Sequence, residues 1–214
     1  MKLTNLYNEI LDEDYPSSFN MEEFKTLTSF NKRIKYCEDN LKRISSGSSR
    51  IVYAIDNEKV LKLAKNNKGL QQNEVEISYG QYSDLDDIVA KIFDYENNNL
   101  WVEMELARKV SVADFKRITE FDFKIYSMGI ANYGNEVNQQ KNKMKYPKLD
   151  SEITQSMWDD EFVRSIFSFI GSYDVPVGDL MRLNSYGIVK RDGEDIIVII
   201  DYGLTHDIYG SYYS

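Results

Sequence analysis

The sequence predicts an α+β protein, in which a five-stranded antiparallel sheet with one inserted helix is followed by a truncated helical part that carries a β-hairpin. Three observations predict it. Between residues 41 and 106 short apolar segments alternate with turn-forming residues; from Ser111 to Ile170 the apolar spacing becomes helical; and Asp192-Gly193 separates two β-branched runs, a strong hairpin signal.

The elements can be justified in order. Residues 1–43 read as a helical preface: Asn20, with Glu23 three residues on, marks a helix start, and Phe24, Leu27, Phe30, Ile34 and Cys37 fall near one face. Leu41 to Ser45, Arg50 to Ile55 and Lys59 to Lys65 predict three strands, separated by Ser45-Ser46-Gly47-Ser48-Ser49 and Asp56-Asn57-Glu58. Gly69 to Tyr79 predicts a helix. Ile88 to Tyr95 and Leu100 to Leu106 predict two more strands, joined by Glu96-Asn97-Asn98-Asn99. Helical spacing runs across Val112 to Ile130 and, after the polar stretch Asn135 to Asp150, across Ser151 to Ile170. Tyr186 to Lys190 and Asp195 to Ile200 form the hairpin arms, and Tyr209 to Ser214 predicts a frayed terminus. The expected divisions are an N-terminal extension at 1–40, a sheet region at 41–106 and a helical region at 107–214.

Composition narrows the function. The chain has 214 residues, 35 acidic and 26 basic side chains and a formal charge of −9, so it lacks the basic stripe of an extended nucleic-acid binder and leaves room only for a local basic pocket. With 42% hydrophobic and 13% aromatic residues it can build a core, as one large domain or two compact lobes. The longest aliphatic run is Ile196 to Ile200, far short of the roughly 20 residues of a membrane span. Nothing at the N-terminus resembles a leader, and the expected location is the cytoplasm. Cys37 and His206 stand alone in kind, which excludes internal disulfides, most zinc sites and most histidine-based triads. Sixteen tyrosines suggest a protein partner.

Several segments carry possible chemistry. The serine-rich turn at 45–49 places small residues where backbone N–H groups could approach phosphates, although an ordinary hairpin loop has the same texture. Lys62 shares a strand face with Val60 and Ala64, an odd place for an ammonium unless an anion meets it; the simpler reading is a snorkelling lysine. Glu74 and Glu76, on the next helix, could each pair with it. Asp179 and Asn184 have the spacing D-x-x-x-x-N, and Asp201-Tyr202-Gly203 ends the hairpin. Carboxylate and amide oxygens of this kind suit Mg²⁺, though each is also common as a cap or turn residue.

Taken in order, these segments resemble the protein-kinase signature set: glycine-rich loop, strand-three lysine, helix-C glutamate, hinge, D-x-x-x-x-N and D-F-G. Gly47 takes the place of the middle loop glycine, and Val52, five residues on, matches the position that caps adenine. Lys62 matches the phosphate-binding lysine, with Val60 beside it on the nucleotide side, and Glu76 its partner, with Glu74 as the alternative. Glu105-Leu106-Ala107 falls where the hinge offers backbone groups of Glu105 and Ala107 to adenine. Asp179 matches the catalytic aspartate, Asn184 and Asp201 the metal ligands. The resemblance covers roughly residues 41–203, and the texture of residues 47–53 and 60–76 is similar to small kinase-like proteins of tailed bacteriophages.

The resemblance implies a bilobal fold with ATP and Mg²⁺ as cofactors. Phosphoryl transfer would go to a protein or small-molecule hydroxyl, and for a phage-encoded chain this would take place in the host cytoplasm. Nucleotidyl transfer could use much the same metal site. There are departures: Ser45 and Arg50 replace the outer loop glycines, Val177-Gly178-Asp179 replaces His-Arg-Asp, and eleven residues follow Gly203, too few for a conventional peptide-docking surface. They support the alternative, a pseudokinase-like module that docks a partner without catalysis. A third reading is an ordinary α+β domain with an accidental match, in which Lys62 and Asp201 share no pocket; a Lys62 ammonium more than roughly 10 Å from both the Glu76 and Asp201 carboxylates would count against the nucleotide site.

Overall fold

The computed structural model describes residues 15–137 and 145–213. Residues 1–14 of the expected preface, 138–144 of the polar connector and Ser214 lie outside the described residues. Two compact units are interleaved along the chain: residues up to Ile77 with Lys91–Leu106, and Ser78–Ala90 with the residues from Ala107 onward.

The first unit opens with α1 (Met21–Thr26) and α2 (Phe30–Asn40). The side chain of Asn20 accepts from Glu23 N, the expected helix start, but the single expected helix is broken: Leu27 turns extended and the Ser29 hydroxyl caps a new helix by accepting from Lys32 N. Thr28-Ser29, whose hydroxyls compete for backbone groups, explains the break. The sheet comprises β1 (Lys42–Ser46), β2 (Arg50–Ala54), β3 (Lys59–Ala64), β4 (Ile92–Tyr95) and β5 (Trp101–Glu105), in the order β1-β2-β3-β5-β4 and antiparallel throughout. Helix α3 (Asn67–Tyr79) is inserted between β3 and β4.

Strand alternation gives the sheet two different faces. Ile51, Tyr53, Leu61, Leu63 and Trp101 join Phe19, Phe24, Cys37 and Leu41 in one apolar core beneath α1 and α2. Burial pushes the Cys37 thiol up to about 12, so it stays a protonated packing group. The opposite face carries the cross-strand row Val52, Lys62 and Val102, together with Arg50, Val60 and Met104.

The second unit contains β6 (Arg108–Lys109), α4 (Val112–Thr119), α5 (Phe123–Val137), α6 (Ser151–Asp159), α7 (Glu161–Ser172), α8 (Val177–Leu180), β7 (Tyr186–Arg191), β8 (Glu194–Ile199) and α9 (His206–Tyr213). The expected hairpin is present, and β6 adds a third strand in the order β6-β7-β8. Asp192 and Gly193 both take positive φ, 52° and 86°, as a type I′ turn requires.

Both long expected helices are divided. Glu120 ends α4 in the left-handed conformation, and Asp160 closes α6 while its carboxylate caps α7 by accepting from Val163 N. The expected frayed tail is instead α9, whose start is held by Tyr209 N donating to Thr205 O (2.9 Å) and Ile208 N to Thr205 Oγ1 (3.2 Å).

One expected strand starts late. Ile88 to Ala90 do not extend β4, because the end of β8 takes their backbone: Ile199 N donates to Ile88 O (2.7 Å) and Ala90 N to Ile199 O (3.0 Å). Arg191 ties the same segment by donating to Asp86 O and Val89 O.

Candidate functional site

In the first unit, the strand alternation that puts Leu61 and Leu63 into the core turns Lys62 to the opposite face, where it is 5% exposed. Its ammonium donates to both carboxylate oxygens of Glu76, at 2.9 and 3.0 Å. Glu76 is fully buried on α3, whereas Glu74 on the same helix is exposed.

Arg50 was not a sequence candidate, yet it joins this pair: its Nη1 lies 2.7 Å from Glu76 Oε2 and donates to Asn73 Oδ1 at 3.4 Å. Asn73 Nδ2 donates to Asn99 O (2.8 Å) in the β4–β5 turn, and Ser49 Oγ hydrogen-bonds Gln72. Helix α3 is thus tied to β2, β3 and that turn by polar groups that are themselves buried. Removing one partner from a buried ion pair typically costs about 3–5 kcal/mol, so the arrangement is strongly held.

Around the lysine, Val52 is half-buried and Val60 buried, both on its face. Gly47 lies in the exposed loop after β1, with its N–H donated to Arg50 O (2.9 Å) and its carbonyl accepting from Lys65 Nζ (2.9 Å). Asn66 Nδ2 donates to Ser48 O (3.1 Å) and Lys65 N to Ser49 O (2.8 Å). The loop carbonyls are therefore anchored to the β3–α3 connection. At the expected hinge, Glu105 N donates to Lys91 O (2.8 Å) and Leu106 N to Glu58 O (2.6 Å), so these two N–H groups serve the first unit's own backbone. Ala107, grouped with the second unit, packs against Gly187 so closely that a side chain on Gly187 would overlap it.

In the second unit, three sequence-predicted residues converge on one end of the β7–β8 hairpin. The ladder pairs Tyr186 with Ile199, and the next step is the hydrogen bond from Ile200 N to Ser185 O, 2.8 Å. Asn184 and Asp201, both exposed, flank that bonded pair. Ser185 also reaches the third residue, its Oγ donating to Asp179 O (2.7 Å). The Asp179 carboxylate is 3.5 Å from Arg182 Nη1.

A buried phenol chain supports this end from beneath. Tyr126 and Tyr186 share a hydroxyl–hydroxyl hydrogen bond (2.8 Å), and Tyr186 donates to Leu180 O (2.7 Å), the residue after Asp179. Burial pushes both phenols well above the usual tyrosine range. Neither tyrosine was a sequence candidate. The available signal was Tyr186 at the start of a strand, two residues after the D-x-x-x-x-N segment.

The residues present fit a hard divalent cation. Asn184 and Asp201 carry an amide and a carboxylate next to one hydrogen-bonded backbone pair, the kind of one- or two-ligand protein contribution that Mg²⁺ accepts alongside phosphate and water. Among the described residues there is no group of three or more His, Cys, Asp or Glu side chains placed to hold a metal ion.

No protein-family model and no curated protein matches the chain. Solved structures do. The streptomycin–ATP complex of the aminoglycoside phosphotransferase APH(2'')-IIa is similar with a TM-score of 0.40 and 11% identity, over 86% of this chain and 70% of that one. ADP-bound APH(2'')-Ib gives 0.38 and 12%, over 81% and 69%. The GDP complex of aminoglycoside 2'-phosphotransferase-IIIa gives 0.39 and 12%, over 94% and 73%. At such values the chemistry has to be read from this chain's own residues.

Proposed function

We propose that the chain is a kinase-like protein that binds ATP with Mg²⁺ and transfers the γ-phosphoryl group to a hydroxyl of a protein or small molecule. The observation that carries this reading is the buried Lys62–Glu76 pair on the valine-lined sheet face. An ammonium held in place by a helix carboxylate, with apolar side chains around it, suits a polyphosphate attached to an adenine.

Within the first unit, Lys62 would hold the α/β-phosphates, Glu76 would steady it, and Val52 and Val60 would cover the base. Hinge backbone groups of Glu105 and Ala107 would orient it, and Gly47 would let the loop approach the phosphates. In the second unit, Asn184 and Asp201 would hold Mg²⁺, which when bound neutralises charge on the phosphate oxygens. Asp179 would orient the acceptor hydroxyl and take its proton. The acceptor oxygen then forms a bond to the γ-phosphorus as the bond to ADP breaks. This is catalysis by positioning and electrostatics.

The test is ATP titration by calorimetry, with and without Mg²⁺, on the unaltered chain and on Asp201→Asn. The expected result is metal-dependent binding that Asp201→Asn weakens at least tenfold. No binding by either protein would overturn the reading and leave a kinase-shaped module that acts by docking.

A further inference from the structure

Glu76 is held from two strands at once: Lys62 touches both of its carboxylate oxygens, and Arg50 brings a second cation to one of them. Arg50 approaches Oε2 at 2.7 Å from the start of β2, while the Lys62 ammonium lies 2.9 Å from Oε1 and 3.0 Å from Oε2. All three residues are buried, at 8%, 5% and 0% exposure. Arg50 itself is braced by Asn73, which is in turn fixed to the Asn99 carbonyl.

The arrangement bears on what Lys62 can do. For the lysine to turn toward a phosphate it must loosen its hold on Glu76, and a buried carboxylate left without a cation carries a large penalty. With lysine as the one counter-charge, that penalty would lock the pair together. With Arg50 already on Oε2, the carboxylate stays compensated while Lys62 moves.

We propose that Arg50 is a positioning residue of the phosphate site: it keeps the charge of Glu76 satisfied, so that Lys62 can be shared with the α/β-phosphates of a nucleoside triphosphate. This rests on the nucleotide reading above and deepens it. The residue that replaces a loop glycine is then a working part of the site, and the strand gains a second cation where the loop loses a glycine.

The experiment measures MgATP and tripolyphosphate affinity of the full chain by calorimetry for the unaltered protein, Arg50→Gln, Glu76→Gln and the double variant. Thermal melting of each variant checks its fold. Arg50→Gln should weaken binding about tenfold or more, because Glu76 then holds Lys62. Adding Glu76→Gln should restore affinity to within about threefold of Glu76→Gln alone, because the neutral amide releases the lysine. A merely structural arginine predicts the reverse: a double variant no stronger than Arg50→Gln, an outcome that overturns the proposal. So does an Arg50→Gln protein that binds like the unaltered one. Should Arg50→Gln not fold, Arg50→Lys is measured instead against Arg50→Met/Glu76→Gln; the lysine variant must bind within threefold of the unaltered protein, and a tenfold loss overturns the proposal. Failure of the unaltered chain to bind either ligand overturns the nucleotide reading and this inference together, whereas intact binding that is indifferent to Arg50 overturns this inference alone.

Discussion

A methyl group added at Gly69 would fall onto Ser49 O and within 3.0 Å of Ala64 Cα. Ser49 O is also the acceptor for Lys65 N, so the intruding methyl would displace a backbone hydrogen bond as well as a strand. Backbone cannot yield as a flexible side chain can, and overpacking of this kind costs about 1–3 kcal/mol. Gly210, within α9, has nothing within 4 Å of the same methyl, and there the higher helix propensity of alanine should stabilise by up to about 1 kcal/mol. Gly69→Ala should therefore lower the urea midpoint and Gly210→Ala raise it, with unchanged m-values. A Gly69→Ala protein as stable as the parent would mean that α3 does not sit this tightly on β3 and the loop before β2. Because Glu76 follows on the same helix, Gly69→Ala should also weaken any nucleotide binding that depends on Lys62.

Helix α8 has only four residues, too few to be stable alone, yet it carries Asp179. Its position comes from other elements: Tyr186 OH on Leu180 O, Ser185 Oγ on Asp179 O, and Val177 against Gly134 of α5, where an added Cβ would come within 2.7 Å of Val177 Cγ2. Tyr126 completes the buried chain through its 2.8 Å bond to Tyr186. Desolvation raises both phenols above their unfolded value near 10, so they favour the folded state fully below pH 10. As pH rises above 10 the unfolded chain ionises first and this contribution is lost. Stability followed by urea unfolding should fall between pH 9 and 11.5, and Tyr126→Phe/Tyr186→Phe should fall less steeply while starting about 1–2 kcal/mol lower at pH 8. An identical slope in the double variant would show that these phenols do not titrate on unfolding. Such supports left no mark in the sequence, whereas the candidate residues were picked out there by local pattern. Lys62, Asp179, Asn184 and Asp201 announce themselves by spacing within a few positions, and the strands by local alternation. Arg50 did not, because its contact is with Glu76, a partner on another element, and an arginine at the start of a strand reads locally as a departure from the glycine pattern. The helix breaks at Leu27, Glu120 and Asp160 rest on a local cap or a single left-handed residue, which apolar periodicity does not record.

The chain passes between its two units three times, at residues 77/78, 90/91 and 106/107, so neither unit is a continuous piece of sequence. The segment Ser78–Ala90, from the last two residues of α3 to just before β4, belongs with the helical unit, held by Ile199, Arg191 and the Tyr202 hydroxyl, which donates to Ala90 O at 3.2 Å. Leu85, Ile88 and Val89 are each 2% exposed there. Burying each is worth roughly 1.5–3 kcal/mol, and the three together approach the whole stability of about 5–15 kcal/mol expected of a domain. A cut between Leu106 and Ala107 looks natural from the sequence, since it separates the sheet region from the helical one, but it strips that segment from the unit that buries it. The fragment 1–106 should then expose Leu85, Ile88 and Val89, and the fragment 107–214 should lose the backbone partners of Ile199. Each fragment alone should bind a hydrophobic dye and show little amide-exchange protection at Ile199 or Ala90, whereas co-expression should restore protection at both. Cooperative unfolding of 107–214 alone, with Ile199 protected as in the whole chain, would show that the inserted segment is dispensable and that the two units are separable by a single cut.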